Sequence, residues 1–421
     1  MADELLNSNE TPNNPMLTTT NLHPLRILHV NSMLTGGGTD DQCVKYAQGL
    51  HQLGHEVWLA GPEERDLTTI VRDRGLSFHA TPPAKLAKIS FILSVAMFIK
   101  RKRIQIVHAH HGRDLWPAIL AAKLSGLSPK IVVTRHLAKS PPSFASRRFL
   151  LSQCDALIAV SNFTAKVLRD GVYEPDSLIL ERRIRPPLSG EDAKICVVEG
   201  GIDTARFHPF DASAQRSAWG LAPEHFAFAV VGGYDHPRGK GQREFLRAAA
   251  WFHAYIPNAR FLIIGRGTLQ STLESDIRKY GLGPKVRLIP HCHDMPTAMN
   301  AIDCLVHPAV GTEAFGLVVC EAHACGKPVI ASALDGIPEA FQVGGYGQLV
   351  QPENVEELAS VMHTWAETPR LDWQGRLALH AKIEQRLSMA VTARHVQEIY
   401  HSILSPGVTT ALISPSRATT I

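Results

Sequence analysis

Short apolar runs alternate with longer amphipathic stretches along most of the chain, and this pattern predicts strands and helices in turn. A first series of apolar runs predicts five strands, at residues 27–30, 57–60, 104–108, 131–134 and 157–160. A second series predicts five more, at residues 226–232, 260–264, 286–289, 304–306 and 328–331. Strands that alternate with helices are typical of βαβ units and parallel sheets. The chain is therefore predicted to be α/β, with two Rossmann-like domains whose ligand lies in the cleft between them.

The domain boundaries are predicted from the places where this alternation stops. The turn-rich segment DTARFHPFDASAQ, residues 203–215, predicts a linker between a first domain at residues 25–205 and a second at residues 222–388. Residues 1–24 are polar and acidic, and residues 406–421 are rich in Ser, Thr and Pro, so both are predicted to be disordered tails. The first tail lacks the basic and then apolar order of a secretory signal.

Composition agrees with a two-domain protein and disfavours one class of partner. With 421 residues, of which 45% are hydrophobic, the chain can bury two separate cores. The net charge of +4 is modest, and the chain lacks a long basic run with interleaved aromatics, which disfavours nucleic acid as a partner. Seven scattered cysteines without a CxxC pair predict reduced thiols and a cytoplasmic protein, which could lie at the cytoplasmic face of the inner membrane.

The longest apolar run, ISFILSVAMFI at residues 89–99, is too short to cross a bilayer as a helix. It is flanked by Lys85 and Lys88 on one side and by four cations at residues 100–103 on the other. It could therefore make a peripheral contact with an anionic membrane as an interfacial helix. Alternatively, it is a buried helix whose terminal cations suit the negative end of the helix dipole.

The segment HPAVGTEAFGLVVCEAHACGKP, residues 307–328, places Glu313 and Glu321 around a predicted strand-to-helix turn, with seven residues between them. At the carboxyl edge of a parallel sheet such a turn faces the ligand, and N–H groups near residues 315–317 would favour a phosphate. Each carboxylate could accept from a pair of hydroxyls, such as those on the ribose or hexose of a nucleotide sugar. Alternatively, Glu313 is a solvated turn residue and Glu321 an ordinary helix residue.

This segment resembles the Glu-x7-Glu signature of the retaining glycosyltransferases of family 4, which have the GT-B fold. Other segments keep the family's order and spacing from about residue 25 to residue 404. In the first half these are RILHVNSMLTGGGTDDQCVKYAQGLHQLGHEVWLA, IQIVHAHHG, KIVVTRH, CDALIAVSNFT and VVEGGIDTARFHP. In the second half they are VVGGYDHPRGKGQREFLRAAA, FLIIGRGTLQSTL, VRLIPHCHDMPTAMNAIDCLVHPA and GKPVIASALDGIPEAF. Two positions differ, since Gln105 replaces the usual Asp and Gly200 the usual Asn.

The resemblance implies a GT-B architecture, in which two Rossmann-like domains with parallel sheets face each other across a cleft. It also implies metal-independent, retaining hexosyl transfer from a nucleotide-diphosphate sugar, with UDP- or GDP-linked donors favoured and without a cofactor. The first domain would bind the acceptor, a glycan or lipid-linked molecule of lipopolysaccharide or polysaccharide biosynthesis, and the second domain would bind the donor. A helix at residues 389–405 would cross back to the first domain.

Individual residues receive roles from the same resemblance. Lys240 matches the family's diphosphate lysine, His136 the histidine that reaches the transferred sugar, Glu313 the donor-sugar ligand and Glu321 the ribose ligand. His136, Lys240 and Glu313 are therefore the predicted catalytic residues. The glycines after the first strand would let the backbone approach a ligand closely. The predicted donor-binding residues are Gly37, Gly38, Arg238, Lys240, Arg266, His291, Glu313, Ala314, Phe315, Gly316, Leu317 and Glu321.

Two alternatives to a transferase remain open, and one of them rests on a departure from the family. Gly233 replaces the arginine usually found two residues after the strand's valine, and only Arg238 or Arg266 is nearby to compensate. A non-catalytic binding subunit is therefore an alternative to the enzyme. A GT-B epimerase that acts on the nucleotide sugar itself, without an acceptor, is another.

Two further motifs are considered as signs of a metallohydrolase and of a dehydrogenase, and both functions are disfavoured. His108 and His110 share one face of a predicted strand, and with His111 and Asp114 they could bind zinc as in a metallohydrolase. The Asp-His pair of such enzymes is missing from HHGRD, so we predict that the protein binds no metal. GRGTLQ at residues 265–270 lacks the third glycine of a dinucleotide fingerprint, which disfavours a dehydrogenase.

Overall fold

Two parallel β-sheets, each covered by helices on both faces, form the two domains of the protein. The computed structural model describes residues 23–33, 37–63, 65–82, 88–173, 184–236, 238–290, 292 and 294–405. The predicted α/β class and the two Rossmann-like domains are confirmed. The predicted tails lie outside the described residues, except for His23 and Pro24.

The first-domain sheet has seven strands in the order β3-β2-β1-β4-β5-β6-β9, and all neighbouring strands are parallel. A short antiparallel pair, β7 and β8, lies outside this sheet. The strands are β1 Arg26–Val30, β2 Glu56–Gly61, β3 Ser77–Ala80, β4 Ile106–Ala109, β5 Lys130–Arg135, β6 Ala156–Ala159, β7 Val172–Tyr173, β8 Ile184–Arg185 and β9 Ile195–Val197. The helices are α1 Gly38–Gln52, α2 Arg65–Asp73, α3 Lys88–Lys102, α4 Leu115–Leu124, α5 Phe144–Gln153 and α6 Asn162–Asp170, followed by a short 3₁₀ turn at Asp192–Lys194.

The second-domain sheet has six parallel strands in the order β12-β11-β10-β13-β14-β15. The strands are β10 Phe226–Val231, β11 Ala259–Ile264, β12 Val286–Ile289, β13 Cys304–His307, β14 Val329–Ser332 and β15 Gly347–Val350. The helices are α7 Ser213–Ala218, α8 Gln242–Phe252, α9 Gln270–Lys279, α10 Met295–Ala301, α11 Leu317–Ala324, α12 Ile337–Gly344, α13 Val355–Glu367, α14 Trp373–Leu387 and α15 Met389–Leu404.

In each sheet, successive strands are added in one direction and then in the other, so the strand order reverses at one point. These reversal points determine where a ligand can bind. The reversal lies between β1 and β4 in the first domain and between β10 and β13 in the second. Loops that leave the two strands at a reversal diverge, so a crevice opens between them at the carboxyl edge. In the second domain the two loops are residues 232–241 and 308–316, which contain Lys240 and Glu313.

The two domains are joined close to Ile202. Its N–H donates to the carbonyl of Leu387 over 2.7 Å, and its carbonyl accepts from the N–H of Met389 over 3.1 Å. The last helix, α15, then packs on the first domain, where Ala393, Val396 and Tyr400 join the core beside β1 and α1. The end of the chain therefore belongs structurally to the first domain.

Helix α3 contains the apolar run and is only partly buried. Phe91, Val95 and Ile99 are buried in the first-domain core, whereas Leu93 and Met97 are exposed. One face of α3 is therefore part of the core, as the buried-helix alternative predicts, and another face exposes apolar side chains. Contact with a membrane stays a prediction. No helix in the described ranges is long and apolar enough to span a membrane.

Candidate active site

The Glu313 segment forms the predicted strand, turn and helix at the carboxyl edge of the second-domain sheet. Strand β13 ends at His307, and α11 begins at Leu317 after an N-cap at Gly316. Gly316 has φ 101°, a left-handed conformation that glycine adopts without steric cost. The first N–H groups of α11 lack intrahelical acceptors, as at every helix start, and they lie directly after the turn. This geometry is suited to an anion.

The carboxylate of Glu313 contacts two neighbouring side chains, a lysine and a histidine. Its carboxylate forms an ion pair with Lys240 Nζ and lies 3.5 Å from His307 Nε2. Burial alone would raise the pKa of this carboxyl group, but the charge of Lys240 and the contact with His307 outweigh it and lower the pKa to about 2. Glu313 is therefore ionised at every physiological pH. The structure brings Lys240 and Glu313, two of the predicted catalytic residues, together.

Backbone contacts with the start of α12 fix the Glu313 turn. The N–H of Glu313 donates to Asp335 Oδ2 over 3.2 Å, and its carbonyl accepts from the N–H of Gly336 over 3.1 Å. A Cβ on Gly336 would lie only 2.1 Å from the carbonyl oxygen of Ala314, so a larger residue would displace the turn. The position of the Glu313 carboxylate therefore depends on a glycine that is distant in sequence.

Glu321 lies in α11 and has a very different environment. In the part of the chain that the structure describes, its carboxylate makes no ion pair or side-chain hydrogen bond. Burial raises its pKa to about 7, while Lys45 and Arg206 partly oppose this and Asp41 adds to it. Lys45 itself pairs with Asp41 over 2.7 Å. The two glutamates thus face the same cleft with opposite electrostatic character.

Arg238 and Arg266, which could compensate for the missing arginine of the family, differ in their environments. Arg238 forms an ion pair with Glu353, which uses its charge within the second domain. Arg266 is exposed on the loop after β11. Gly233 is exposed as well, and a Cβ there would lie 3.5 Å from the carbonyl oxygen of Arg266, an ordinary contact. The replacement of the family's arginine is therefore not dictated by lack of space.

His136 follows β5 and ends a chain of three imidazoles, in which His29 and His110 are buried and His136 is half-buried. His29 Nδ1 lies 2.8 Å from His110 Nε2, and His110 Nδ1 lies 3.2 Å from His136 Nε2. Burial lowers the pKa of His29 and of His136 to about 3, so both rings are neutral at physiological pH. Each link needs one donor and one acceptor, so the three tautomers are set together. His29 was missed from the sequence because its partners come from other strands.

The predicted metallohydrolase set does not form one cluster. His108 is hydrogen-bonded to Thr134 Oγ1 and Tyr400 Oη, each over 2.6 Å, and His111 Nε2 lies 2.9 Å from Asp40 Oδ1. Asp114 accepts from the N–H of Ser32 over 2.9 Å. Among the described residues, the side chains with ligand atoms within 4.8 Å of one another are a different set, His29, Cys43 and His110.

The glycine loop of the first domain leads directly into α1. Gly37 is its N-cap with φ 114°, and Gly38 is its first residue. Asp40 and Asp41 occupy the first turn, where they already interact with the positive end of the helix. This loop therefore offers less to a phosphate than the start of α11. His291, another predicted donor-binding residue, lies outside the described residues.

Two contacts cross the cleft beside the Glu313 turn. Ser161, the N-cap of α6, donates its hydroxyl to the carbonyl of Ala314 over 2.6 Å. Glu339 of α12 accepts from the N–H groups of Asn162 and Phe163 over 2.7 and 2.6 Å. A serine before a helical stretch is a typical N-cap, so the sequence does indicate this role for Ser161. Its partner across the cleft could not be inferred from that signal.

Each of the two domains matches a known protein family. The family described as "Glycosyltransferase Family 4" matches residues 36–179, and the family described as "Glycosyl transferases group 1" matches residues 212–379. The phosphatidyl-myo-inositol mannosyltransferase of Mycolicibacterium smegmatis is 25% identical over 383 residues, which cover 88% of this chain and 92% of that protein. The D-inositol 3-phosphate glycosyltransferase of Mycobacterium marinum is 27% identical over 307 residues, which cover 68% of this chain and 61% of that protein. The chain thus spans about three fifths of the latter relative.

Solved structures show the same architecture. HepE of Anabaena, solved in complex with UDP and glucose, matches with a TM-score of 0.72 at 20% identity, over 90% of this chain and 100% of that chain. A glycosyltransferase from Rickettsia africae matches with a TM-score of 0.75 at 20% identity, over 91% of this chain and 100% of that chain. The GT-B fold is therefore confirmed. Together with the family matches on both domains, it shows that the chain belongs to family 4 of the GT-B glycosyltransferases.

Proposed function

We propose that the protein is a metal-independent, retaining glycosyltransferase that uses a nucleotide-diphosphate sugar. The observation that carries this proposal is the pairing of Lys240 with Glu313 directly before the start of α11, with Glu321 further along the same helix. Lys240 and Glu313 lie on the two loops that leave the second-domain sheet at the reversal of its strand order, and the helix that contains Glu321 follows directly. The crevice between such loops is where open α/β sheets bind their ligands.

The charges in this crevice suit the departure of a diphosphate. Cleavage of the anomeric C–O bond leaves growing negative charge on the β-phosphate, which Lys240 and the first N–H groups of α11 would stabilise. The ammonium of Lys240 has three N–H donors, so it can bind phosphate while it still contacts Glu313. Glu313 would accept from hydroxyls of the donor sugar, and Glu321 from those of the ribose. Arg238 is bound to Glu353 and makes a smaller contribution.

His136 would contribute a hydrogen bond rather than a proton. Its neutral ring can donate from Nδ1 to a sugar hydroxyl when Nε2 accepts from His110. In a retaining transfer the acceptor hydroxyl attacks the face from which the diphosphate leaves, its oxygen bonds to the anomeric carbon, and its proton passes to the leaving phosphate oxygen. No metal or cofactor is needed for these steps, so we propose none.

The acceptor is proposed to be lipid-linked. The relative from M. smegmatis is named for a phosphatidyl-myo-inositol acceptor. Here the first domain carries an exposed apolar surface across α3, α4 and α5, formed by Ile89, Leu93, Met97, Leu120, Leu124, Phe144 and Phe149. We call this the apolar surface. Four cations at residues 100–103 adjoin it at the end of α3, which suits an anionic membrane.

A ligand screen tests the donor assignment. The protein is heated with UDP, GDP, ADP or CMP and with the corresponding sugars, with and without EDTA. A ligand at a hundred times its dissociation constant adds about 2.7 kcal/mol of stability. We expect one nucleoside diphosphate to raise the melting temperature equally with and without EDTA. Glu321→Ala should then weaken its binding by about 1–3 kcal/mol, the usual loss for a charge-assisted hydrogen bond.

The outcomes separate the alternatives. Unchanged nucleotide affinity in Glu321→Ala would refute the ribose assignment, and stabilisation that disappears with EDTA would refute metal independence. Binding without transfer to any lipid-linked or glycan acceptor, together with conversion of the free nucleotide sugar, would indicate an epimerase. Binding without turnover of either kind would indicate a binding subunit, which is the alternative that Gly233 favours. Retention is tested by the anomeric configuration of the product.

A further inference from the structure

A second pocket lies at the opposite edge of the second-domain sheet from the donor crevice. Its lining includes Phe226 at the start of β10, Asp303 directly before β13 and Tyr346 directly before β15. All strands of this sheet are parallel, so their starts share one edge and the donor crevice lies at the other. With about 3.3 Å per residue, the strands separate the two sites by roughly 13 Å. A ligand in this pocket would therefore not overlap the donor.

The pocket contains a buried cation without a partner. Lys327 lies between α11 and β14 with only 9% of its surface exposed, and it lines the pocket. Within the described part of the chain, its ammonium makes no hydrogen bond or ion pair. Burial lowers its pKa to about 8, the neighbouring charge of Arg376 acts in the same direction, and the charge of Asp303 opposes them only in part. An ammonium that is desolvated in this way is expected to have a counterion.

The other charges of the pocket do not neutralise Lys327. Asp303 is the acidic residue of the lining, and its carboxylate is already occupied by Arg370 Nε at 2.7 Å and Arg216 Nη1 at 2.9 Å. Arg376 adds a second cation, and its Nε is buried without a hydrogen-bond partner among the described residues. Two cations, Lys327 and Arg376, therefore line a pocket whose carboxylate is already paired with two other arginines.

The shape and lining of the pocket limit the size of the ligand. The cavity has a volume of about 90 Å³, and the rings of Phe226, Tyr346 and Trp365 form part of its wall. This volume exceeds that of a single water, for which about 10–15 Å³ on the same measure is enough. The cavity can thus hold a small tetrahedral oxyanion, with the aromatic rings beside any organic group attached to it.

We propose that this pocket is an anion-binding site, in which Lys327 and Arg376 bind inorganic phosphate or the phosphate of a small phosphomonoester. Lys327 supplies three donors, and the guanidinium of Arg376 adds a second positive charge to the lining. The site is separate from the donor crevice and does not depend on the reaction proposed above. Its ligand would stabilise the second domain by pairing charges that are otherwise buried alone.

Calorimetric titration tests this site with inorganic phosphate and with phenyl phosphate, at ionic strength matched with NaCl. The proteins are the full-length wild type, Lys327→Met, Lys240→Met and Lys279→Met. Lys279 is exposed at the end of α9 and controls for the loss of one charge. We expect Lys327→Met to weaken binding by about tenfold or more, the loss for one charge-assisted hydrogen bond. Lys279→Met should bind as the wild type does, and Lys240→Met should retain the binding that Lys327→Met loses.

A second measurement shows whether the variant is folded. Lys327→Met removes an unpaired buried ammonium, so its melting temperature in phosphate-free buffer should equal or exceed that of the wild type. Phosphate should raise the melting temperature of the wild type and not that of Lys327→Met. Tighter binding of phenyl phosphate would identify an organic phosphate as the ligand, and equal binding would identify inorganic phosphate. Equal affinity of the wild type and Lys327→Met, or binding that is lost only in Lys240→Met, would overturn the proposal.

Discussion

Glu313 and Glu321 have opposite pKa shifts, although they belong to one short segment. The pKa of Glu313 falls to about 2 because Lys240 and His307 compensate for its burial, whereas the pKa of Glu321 rises to about 7 because its burial is not compensated. Two carboxylates that differ in this way can have different tasks in one site. Glu313 is a permanent anion, while Glu321 gains a full charge only when a ligand or a higher pH favours it.

Glu321→Gln should therefore change the dependence of stability on pH. The folded-state pKa of Glu321, about 7, lies above its ordinary value of 4.5, so the folded protein binds an extra proton between these values. The free energy of unfolding thus falls as the pH rises from about 4.5 to about 7. At about pH 8, Glu321→Gln should be more stable than the wild type by on the order of 2 kcal/mol.

Urea denaturation of both proteins at about pH 5 and about pH 8 measures this difference. Near pH 5 the difference should be much smaller, because the carboxyl group is then mostly protonated in the folded state, and it should vanish below about pH 4.5. The exposed Glu356 in the first turn of α13 provides the control, since Glu356→Gln should show no such dependence. A pH-independent difference between Glu321→Gln and the wild type would contradict the raised pKa.

Gly233→Arg should restore phosphate affinity that the family's usual arginine would provide. Gly233 does not have a positive φ, and a Cβ there makes only ordinary contacts, at 3.5 Å to the Arg266 carbonyl oxygen and 3.7 Å to Asp235 Oδ2. An arginine can therefore be accommodated. We expect it to strengthen the binding of the preferred nucleoside diphosphate by about 1–3 kcal/mol. Gly233→Gln, which has a long but neutral side chain, should not do so. Equal affinities of the two variants would show that position 233 does not face the diphosphate.

At the residue scale, the sequence motifs indicated Lys240 and Glu313 but not the contacts that these side chains make. Lys240 and Glu313 follow from their motifs, and the structure places them together. The residues that hold them there, such as His307 and Asp335, carry no motif of their own. Ser161 and Glu339 act on the site from opposite domains, and the pairing of such distant residues is set only by the tertiary fold. Local patterns therefore indicate which groups are present and leave their charge states undetermined.

At the element scale, the strands that the sequence missed share one property. All ten predicted strands are found, with ends that differ by no more than two residues. In the two large sheets the missed strands are β3, β9 and β15, and each lies at an edge of its sheet. Central parallel strands are buried on both faces and appear as continuous apolar runs, whereas edge strands are partly exposed. The sequences SFHA, ICV and GQLV are accordingly short and partly polar or exposed.

Another element-scale feature is the start of α6, which is bound by the opposite domain. Glu339 accepts three hydrogen bonds there, from Asn162 N, Asn162 Nδ2 and Phe163 N. A carboxylate is favoured at the positive end of a helix, so this contact stabilises the closed cleft. Glu339→Ala should shift the protein towards an open arrangement, with a loss of about 1–3 kcal/mol of contact energy.

Small-angle X-ray scattering of the ligand-free protein measures this opening as a larger radius of gyration. Glu356→Ala removes a glutamate from the first turn of another helix without a contact across the cleft, so its radius should equal that of the wild type. The same radius for Glu339→Ala and the wild type would show that other contacts, such as that of Ser161 with Ala314, are sufficient for closure.

At the scale of the whole molecule, the residues of the apolar surface lie on three helices that contact one another in turn. Helix α4 packs against α3 and is tied to α5 by a hydrogen bond from Trp116 Nε1 to Ser146 Oγ over 2.8 Å. The surface belongs to the first domain, which is the proposed acceptor domain. The whole chain has a net charge of only +4, yet four cations are consecutive at residues 100–103 beside this surface. Apolar area and local positive charge together favour an anionic bilayer over a neutral one.

Met97→Glu should therefore weaken membrane binding. Met97 is 67% exposed on α3, and inserting its side chain into a bilayer would contribute about 1.5–3 kcal/mol, or roughly tenfold or more in affinity. Sedimentation with vesicles that contain phosphatidylglycerol measures this loss, and vesicles of phosphatidylcholine alone should bind both proteins weakly. Trp251→Glu is the matched control, because Trp251 is 58% exposed on a helix of the second domain. If both variants bind anionic vesicles as the wild type does, the first domain does not dock through the apolar surface, and a soluble glycan becomes the better acceptor.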